Sequence, residues 1–222
     1  MIEYLAAFFS VGGPFMFVNL VLLAVAVATI VERVITLGFK LNLNARPFME
    51  QIQKLVVAGN LDKAIKLTDA APNAALAKVV KAGLAQGNRG VEEVSKALEE
   101  EVLQQTPAIT RRIAPLWSFA NVATLVGLIG TITGLITTFR SLGVATPEMK
   151  QVMLSRGISE AMNNTAFGLI IAVLCIVAHL MLSSKAKTMV EELEFNALRL
   201  ENMLSRRLAG ESNPLDAGTR RA

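Results

Sequence analysis

Three stretches of this chain, residues 15–31, 115–139 and 157–182, contain only one Asp, Glu, Lys or Arg among them, Glu160. A helix rising 1.5 Å per residue needs about 20 such residues to cross a hydrocarbon core of about 30 Å. In lipid the backbone must satisfy its own hydrogen bonds, so each run can span only as a helix or as part of a closed barrel, and runs of this length fit helices. A hydrophobic content of 53% is more than a water-soluble domain normally carries. The sequence therefore predicts an all-α integral membrane protein with spans at residues 14–38, 115–140 and 157–183 and a helical domain over 39–114. The remaining segments are a leading one at 1–13, a short loop at 141–156 and a tail at 184–222.

Basic residues orient these spans. Of the 22 Lys and Arg, 18 fall in residues 40–112 or in the tail from Lys185, which makes those two regions cytoplasmic by the positive-inside rule. Residues 1–13 and 141–156 then face the periplasmic side. The first apolar run has no basic segment before it and is followed by Glu32 and Arg33, so it reads as an uncleaved anchor. Glu32 and Arg33 fit an interfacial ion pair or a hold on a neighbouring subunit.

Between the first two spans, Phe48, Ile52, Leu55 and Val56 keep helical spacing, Gly59 and Asn60 interrupt it, and Leu61, Ile65 and Leu67 resume it before Pro72. This predicts a helical hairpin, followed by helices over residues 75–85 and 91–105. Beyond Pro214 the tail reads as frayed.

Several function classes are excluded by composition. Residues 40–112 hold eleven basic and eight acidic side chains, a mixture that argues against nucleic-acid binding. The glycine-containing stretch near Gly87 lacks the spacing of a phosphate loop. The single cysteine, Cys175, can form no internal disulfide and reads as a packing residue, and nothing resembles a metal cluster. No nucleophile and base are paired in the loops, so the chain reads as a non-enzyme without a resident cofactor. Trp117 reads as part of an aromatic belt and His179 as interfacial, with a proton relay the less favoured role.

The polar residues inside the spans need another explanation. A carboxylate at the bilayer centre costs about 2.5–3.5 kcal/mol, so Glu160 belongs either on an aqueous path or, being four residues from Arg156, in an i,i+4 pair near the helix end. Thr131 lies nine residues before Arg140, and Thr165 nine residues after Arg156. On antiparallel helices both hydroxyls then sit about 13–14 Å from one membrane face, near mid-depth. Gly127, Thr131 and Gly134 share a helix face with Gly130 adjacent, while Ala161, Thr165, Gly168 and Ala172 form a matching small-residue stripe. Asn164 shares a neighbouring face with Glu160. Thr131, Thr165, Glu160 and Asn164 are thus candidate ion-path residues, and the glycines are candidate packing residues. No span holds a carboxylate at mid-depth, so an ion-binding carboxylate would have to come from another polypeptide.

The run GLIGTITGLITTF over 127–139 resembles the GLLGTVxGxxxxF signature of the MotA/TolQ/ExbB proton-channel family, and GISEAMNNTAFGL over 157–169 resembles its GIxEALxATAxGL signature. The likeness is to the three-span TolQ/ExbB branch and covers nearly the whole chain. It implies a ring, a pentamer, around two copies of a single-span TolR/ExbD-like partner whose intramembrane aspartate takes up a proton. It also implies that Thr131 and Thr165 line the channel and that Glu160 is the family's third-span glutamate. Asn163 and Asn164 depart from the family's small or aliphatic residues, and amides near the path suit H+ or Na+. The function implied is a stator or channel subunit that couples ion flow to mechanical work on the cell envelope, with uptake, envelope constriction and gliding all open. The alternative is a passive membrane scaffold. A solute transporter is disfavoured because neither inverted repeats nor broken helices are visible.

Overall fold

The computed structural model describes residues 13–144 and 146–211. Among these the chain forms seven α-helices and one π-helical turn and no strand. The helices are α1 (Gly13–Ile35), α2 (Ala45–Val57), α3 (Leu61–Thr68), α4 (Ala75–Ala85), α5 (Val91–Thr110), α6 (Ala114–Leu142) and α7 (Pro147–Glu211). The π-helical turn, Thr36–Lys40, follows α1. Three of the helical segments are long and apolar enough to cross a membrane. The chain divides into two compact units, one comprising residues up to Arg33 with Arg112–Leu182, the other Val34–Arg111 with the residues from Ser183 onward.

The first unit holds the apolar helices. Its core gathers Met16 and Ala26 from α1, Ala120 and Ala123 from α6, and Phe167, Ile171, Ala172 and Cys175 from α7. Alanines dominate the contribution of α6, and without large side chains between them helix backbones can approach closely in lipid. The outward faces carry exposed Phe17, Val21, Leu125, Ile132, Ile170 and Val173, a surface suited to lipid or to other apolar helices. Pro115 lies in the first turn of α6, where its missing N–H costs no hydrogen bond.

In the second unit α2 and α3 form the hairpin. Gly59 takes φ +74, the left-handed conformation that ends a helix most cheaply in glycine. The Asn60 amide donates to Leu55 O at 2.9 Å and the Gly59 amide to Val56 O at 3.1 Å, closing the last turn of α2 with the paired bonds of a Schellman motif. Met49, Ile52, Val79, Val80 and Val94 are fully buried, and Leu98 nearly so. From α7, Ala186, Met189, Leu193, Ala197, Leu200 and Leu204 add a stripe at three- and four-residue spacing to the same core.

The helix boundaries differ from the sequence reading in three places. Helix α5 runs to Thr110 rather than to 105 and carries an exposed Pro107 near its end. Residues 147–156, read as loop, are already the first turns of α7, with Thr146 O accepting from the amides of Met149 and Lys150. The third span continues without a break into a segment read only as a tail, ending at Glu211. The last two of these boundaries followed charge, and charge marks a membrane edge without ending a helix. The stretch beyond residue 214, anticipated as frayed, lies outside the described residues, as do residues 1–12.

Candidate ion-path site

Glycine makes the site possible by letting α6 and α7 touch. A Cβ added at Gly127 would meet Asn164 O at 2.9 Å and Thr165 Cα at 3.2 Å, and one at Gly168 would meet Ala123 O at 2.5 Å. Gly134 lies on Ala161, and Gly130 on Asn164 and Phe15. Gly157 is closed over by Thr138. At this separation Thr131 and Thr165 share a hydrogen bond between their hydroxyls. Thr131 Oγ1 is also within reach of Ala161 O at 3.1 Å and Gly127 O at 3.2 Å, and Thr165 Oγ1 of Gly127 O at 3.2 Å. Each hydroxyl has one proton, so one bridges the pair while the other goes to a carbonyl. Within one chain the two hydroxyls cross-brace the helices, and the brace reaches a carbonyl on the opposite helix.

Beside this brace lies a cleft of about 450 Å³. Glu160 and Asn164 line it from α7, and Thr133, Thr137, Thr138 and Ser141 line it from α6. The start of α1 contributes Gly13, Pro14 and Phe15. Thr131 and Thr165 are not part of the lining, so the four candidate ion-path residues divide into a brace and a cleft. Glu160 makes no ion pair with Arg156. Its Oε1 lies 3.5 Å from where a Cβ on Gly13 would stand, against the first turn of α1. Helix N-termini favour a carboxylate, and that placement removes the need for the i,i+4 pair. Asn164 is 4% exposed and its Oδ1 has no hydrogen-bond partner.

The cleft hydroxyls were not singled out from the sequence, although Thr133, Thr137 and Ser141 recur at i,i+4 and so share one helix face. Asn19 was absorbed into an apolar run. It is fully buried, with neither Oδ1 nor Nδ2 hydrogen-bonded, and its Nδ2 lies 3.3 Å from where a Cβ on Gly168 would stand.

At the opposite end of the unit Glu32 holds two guanidinium groups, Arg33 at 2.6 Å and Arg112 at 2.9 Å. Arg33 is fully buried, while Arg112 takes φ 62 where the chain turns into α6. His179 Nδ1–H donates to Ile113 O at 3.1 Å, and its ring lies 6.0 Å from that of Trp117. Among the described residues no three His, Cys, Asp or Glu side chains are grouped to hold a metal.

Residues 71–195 match the model of the MotA/TolQ/ExbB proton channel family, more than half of the chain. This chain belongs to the MotA/TolQ/ExbB family. A biopolymer transport protein ExbB homolog of Methanothermobacter thermautotrophicus is 28% identical over 119 residues, which cover 54% of this chain and 42% of that protein. The chain thus spans less than half the length of that relative. A chain of the C. jejuni MotAB structure superposes with a TM-score of 0.60 at 19% identity, covering 88% of this chain and 73% of that one. At that identity the likeness is one of fold. Among the residues that match the family model are both threonines of the brace and Glu160. As a family member with three membrane-length apolar helices, this is a membrane protein.

Proposed function

We propose that this protein is the stator or channel subunit of an inner-membrane motor that couples the flow of protons or sodium ions to mechanical work on the cell envelope. The observation that carries the reading is the oxygen-lined cleft holding Glu160 beside the Thr131–Thr165 brace, in a chain of a proton-channel family. In this reading several copies, a pentamer, surround a single-span TolR/ExbD-like partner, and the partner supplies the carboxylate that no span of this chain holds at mid-depth. The basic 40–112 segment and the tail lie in the cytoplasm. The chain performs no covalent chemistry and needs no resident cofactor. One charge crossing 100 mV releases about 2.3 kcal/mol, several times thermal energy and enough to bias a mechanical step.

The test is native mass spectrometry of the complex taken from its own membrane in mild detergent. A ring of this chain carrying a small single-span protein with an intramembrane aspartate supports the motor. A monomer or dimer that repeatedly lacks such a partner overturns it in favour of a passive scaffold.

A further inference from the structure

The α2–α3 hairpin has two faces. One is buried in the core of the second unit through Phe48, Met49, Ile52 and Val56 of α2 and Leu61, Ala64 and Thr68 of α3. The other carries a second pair of stripes. Gln51, Lys54 and Leu55 stand at i, i+3 and i+4 on α2, and Lys63, Lys66 and Leu67 repeat that spacing on α3, with Ala70 one turn further on. These residues line an open groove of about 550 Å³ that lies wholly on the hairpin.

The groove combines uncovered apolar surface with unbalanced charge. Leu55 and Leu67 are only half-buried, and Val57, beside the groove at the end of α2, is 79% exposed. Among the described residues the lining holds three ammonium groups and no carboxylate. Lys54, Lys63 and Lys66 are exposed and form no ion pair, although Glu50 and Asp62 stand four residues before Lys54 and Lys66. Asp69, next to Ala70, is held by Lys81 at 2.6 Å. Like charges gathered around one groove repel, and an anionic ligand relieves them.

Shape and chemistry together select the occupant. A small inorganic anion would satisfy the lysines and leave the leucines uncovered. Nucleic acid would want aromatic rings to stack on, and the lining has none. A bilayer surface is flat, whereas a groove between two helices receives a third helix, ridge into furrow. The eight residues of α3 extend about 12 Å, enough to hold about two turns of such a helix.

We propose that this groove docks a short acidic amphipathic helix of another protein, its apolar stripe on Leu55, Leu67 and Ala70 and its carboxylates on Lys54, Lys63 and Lys66. In the topology proposed above this partner is a cytoplasmic protein. The groove itself owes nothing to the ion path, so the two readings stand or fall separately.

The test uses the full chain with whatever it carries, purified in neutral detergent. The probe is a fluorescein-labelled, alanine-based helical peptide of about 14 residues with leucines at i, i+4 and i+7 flanked by glutamates. A control peptide has lysine in place of every glutamate. Fluorescence anisotropy should show saturable binding of the acidic peptide, weakened by added NaCl, and none of the control. Lys54→Gln, Lys63→Gln and Lys66→Gln together should weaken binding by about tenfold or more, as three lost surface ion pairs do. Leu67→Ser should weaken it with the lysines intact, and Lys63→Gln alone serves if the triple variant does not fold. Equal binding of both peptides, or an unchanged half-saturation in the triple variant, overturns the proposal. If phosphatidylglycerol displaces the acidic peptide, the groove belongs to lipid and the proposal falls. A triple variant that native mass spectrometry shows with fewer copies assigns the groove to a contact between copies of this chain, which also refutes it.

Discussion

Replacing Gly168 by alanine tests whether α6 and α7 are in contact at the depth of the threonine brace. The added Cβ would stand 2.5 Å from Ala123 O and 3.3 Å from Gly127 Cα, both backbone atoms that no rotamer change can move aside. Overpacking of this kind costs about 1–3 kcal/mol, and a collision with a carbonyl belongs in the upper part of that range. Alanine returns about 0.5–1 kcal/mol through its helix preference. The helices separate by a few tenths of an ångström, which stretches the Thr131–Thr165 contact and removes part of an interhelical bond worth about 0.6 kcal/mol on average. The sum is a loss of about 1–3 kcal/mol. Gly38 is the control, because a Cβ there meets nothing within 4 Å and its φ is not in the left-handed region. Gly38→Ala should therefore be neutral or slightly stabilising. Unfolding in mixed detergent micelles, followed by circular dichroism as SDS is titrated, measures both variants on one scale. If Gly168→Ala unfolds with the parent, or if the two variants shift together, the close approach of these helices is wrong and the account of the brace goes with it.

Thr131→Ala and Thr165→Ala should each lower stability by less than about 2 kcal/mol while abolishing envelope work in a complementation assay, and Thr→Ser at either site should retain it. Arg112→Ala loses an ion pair that is partly exposed on both sides and should cost up to about 1 kcal/mol by the same SDS titration. Arg112→Gly loses the same pair but relieves φ 62, so it should come out about 1 kcal/mol more stable than the alanine variant. Leu98, 2% exposed and against Gly83, should cost about 2–5 kcal/mol as Leu98→Ala, seen as faster limited proteolysis of the α4–α5 region. Asn19→Leu removes two buried orphan polar atoms at similar volume and should raise the unfolding midpoint in the same SDS titration.

Much of this architecture could be read from the residues. The helix over 75–85 begins and ends where the periodicity put it, and the hairpin breaks at Gly59 because a helix end there needs a left-handed residue. The facing of Thr131 and Thr165 was also legible, since equal distances from two arginines across a short turn translate directly into equal depth. What the sequence concealed has physical reasons. The heptad-like row from Ala186 to Leu204 was dispersed among Lys185, Lys187, Glu191, Glu192 and Glu194, and the charge drew more attention than the period. The hydroxyls of Thr133 and Thr137 were overlooked because a threonine bonded to its own helix is ordinarily silent. Only the shape of the cleft makes those lone pairs count together. Asn19 stood in a run so apolar that one amide could not change its reading as a span, and burial by three helices is invisible to hydropathy.

The bond between Glu32 and Arg112 joins residues 80 positions apart, and this separation has a consequence for how the protein is made. At about 5–20 residues per second, a ribosome needs roughly 4–16 s to travel from one to the other. Throughout that interval Glu32 has only its neighbour Arg33, and the whole second unit except its α7 portion is being synthesised. No fragment that stops short of residue 112 can form the clasp, and a chain that forms it has already brought the end of its first apolar helix to the start of its second. The clasp thus separates nascent chains from those whose second apolar helix has begun, a distinction that crosslinking of arrested translation products at positions 32 and 112 would time directly.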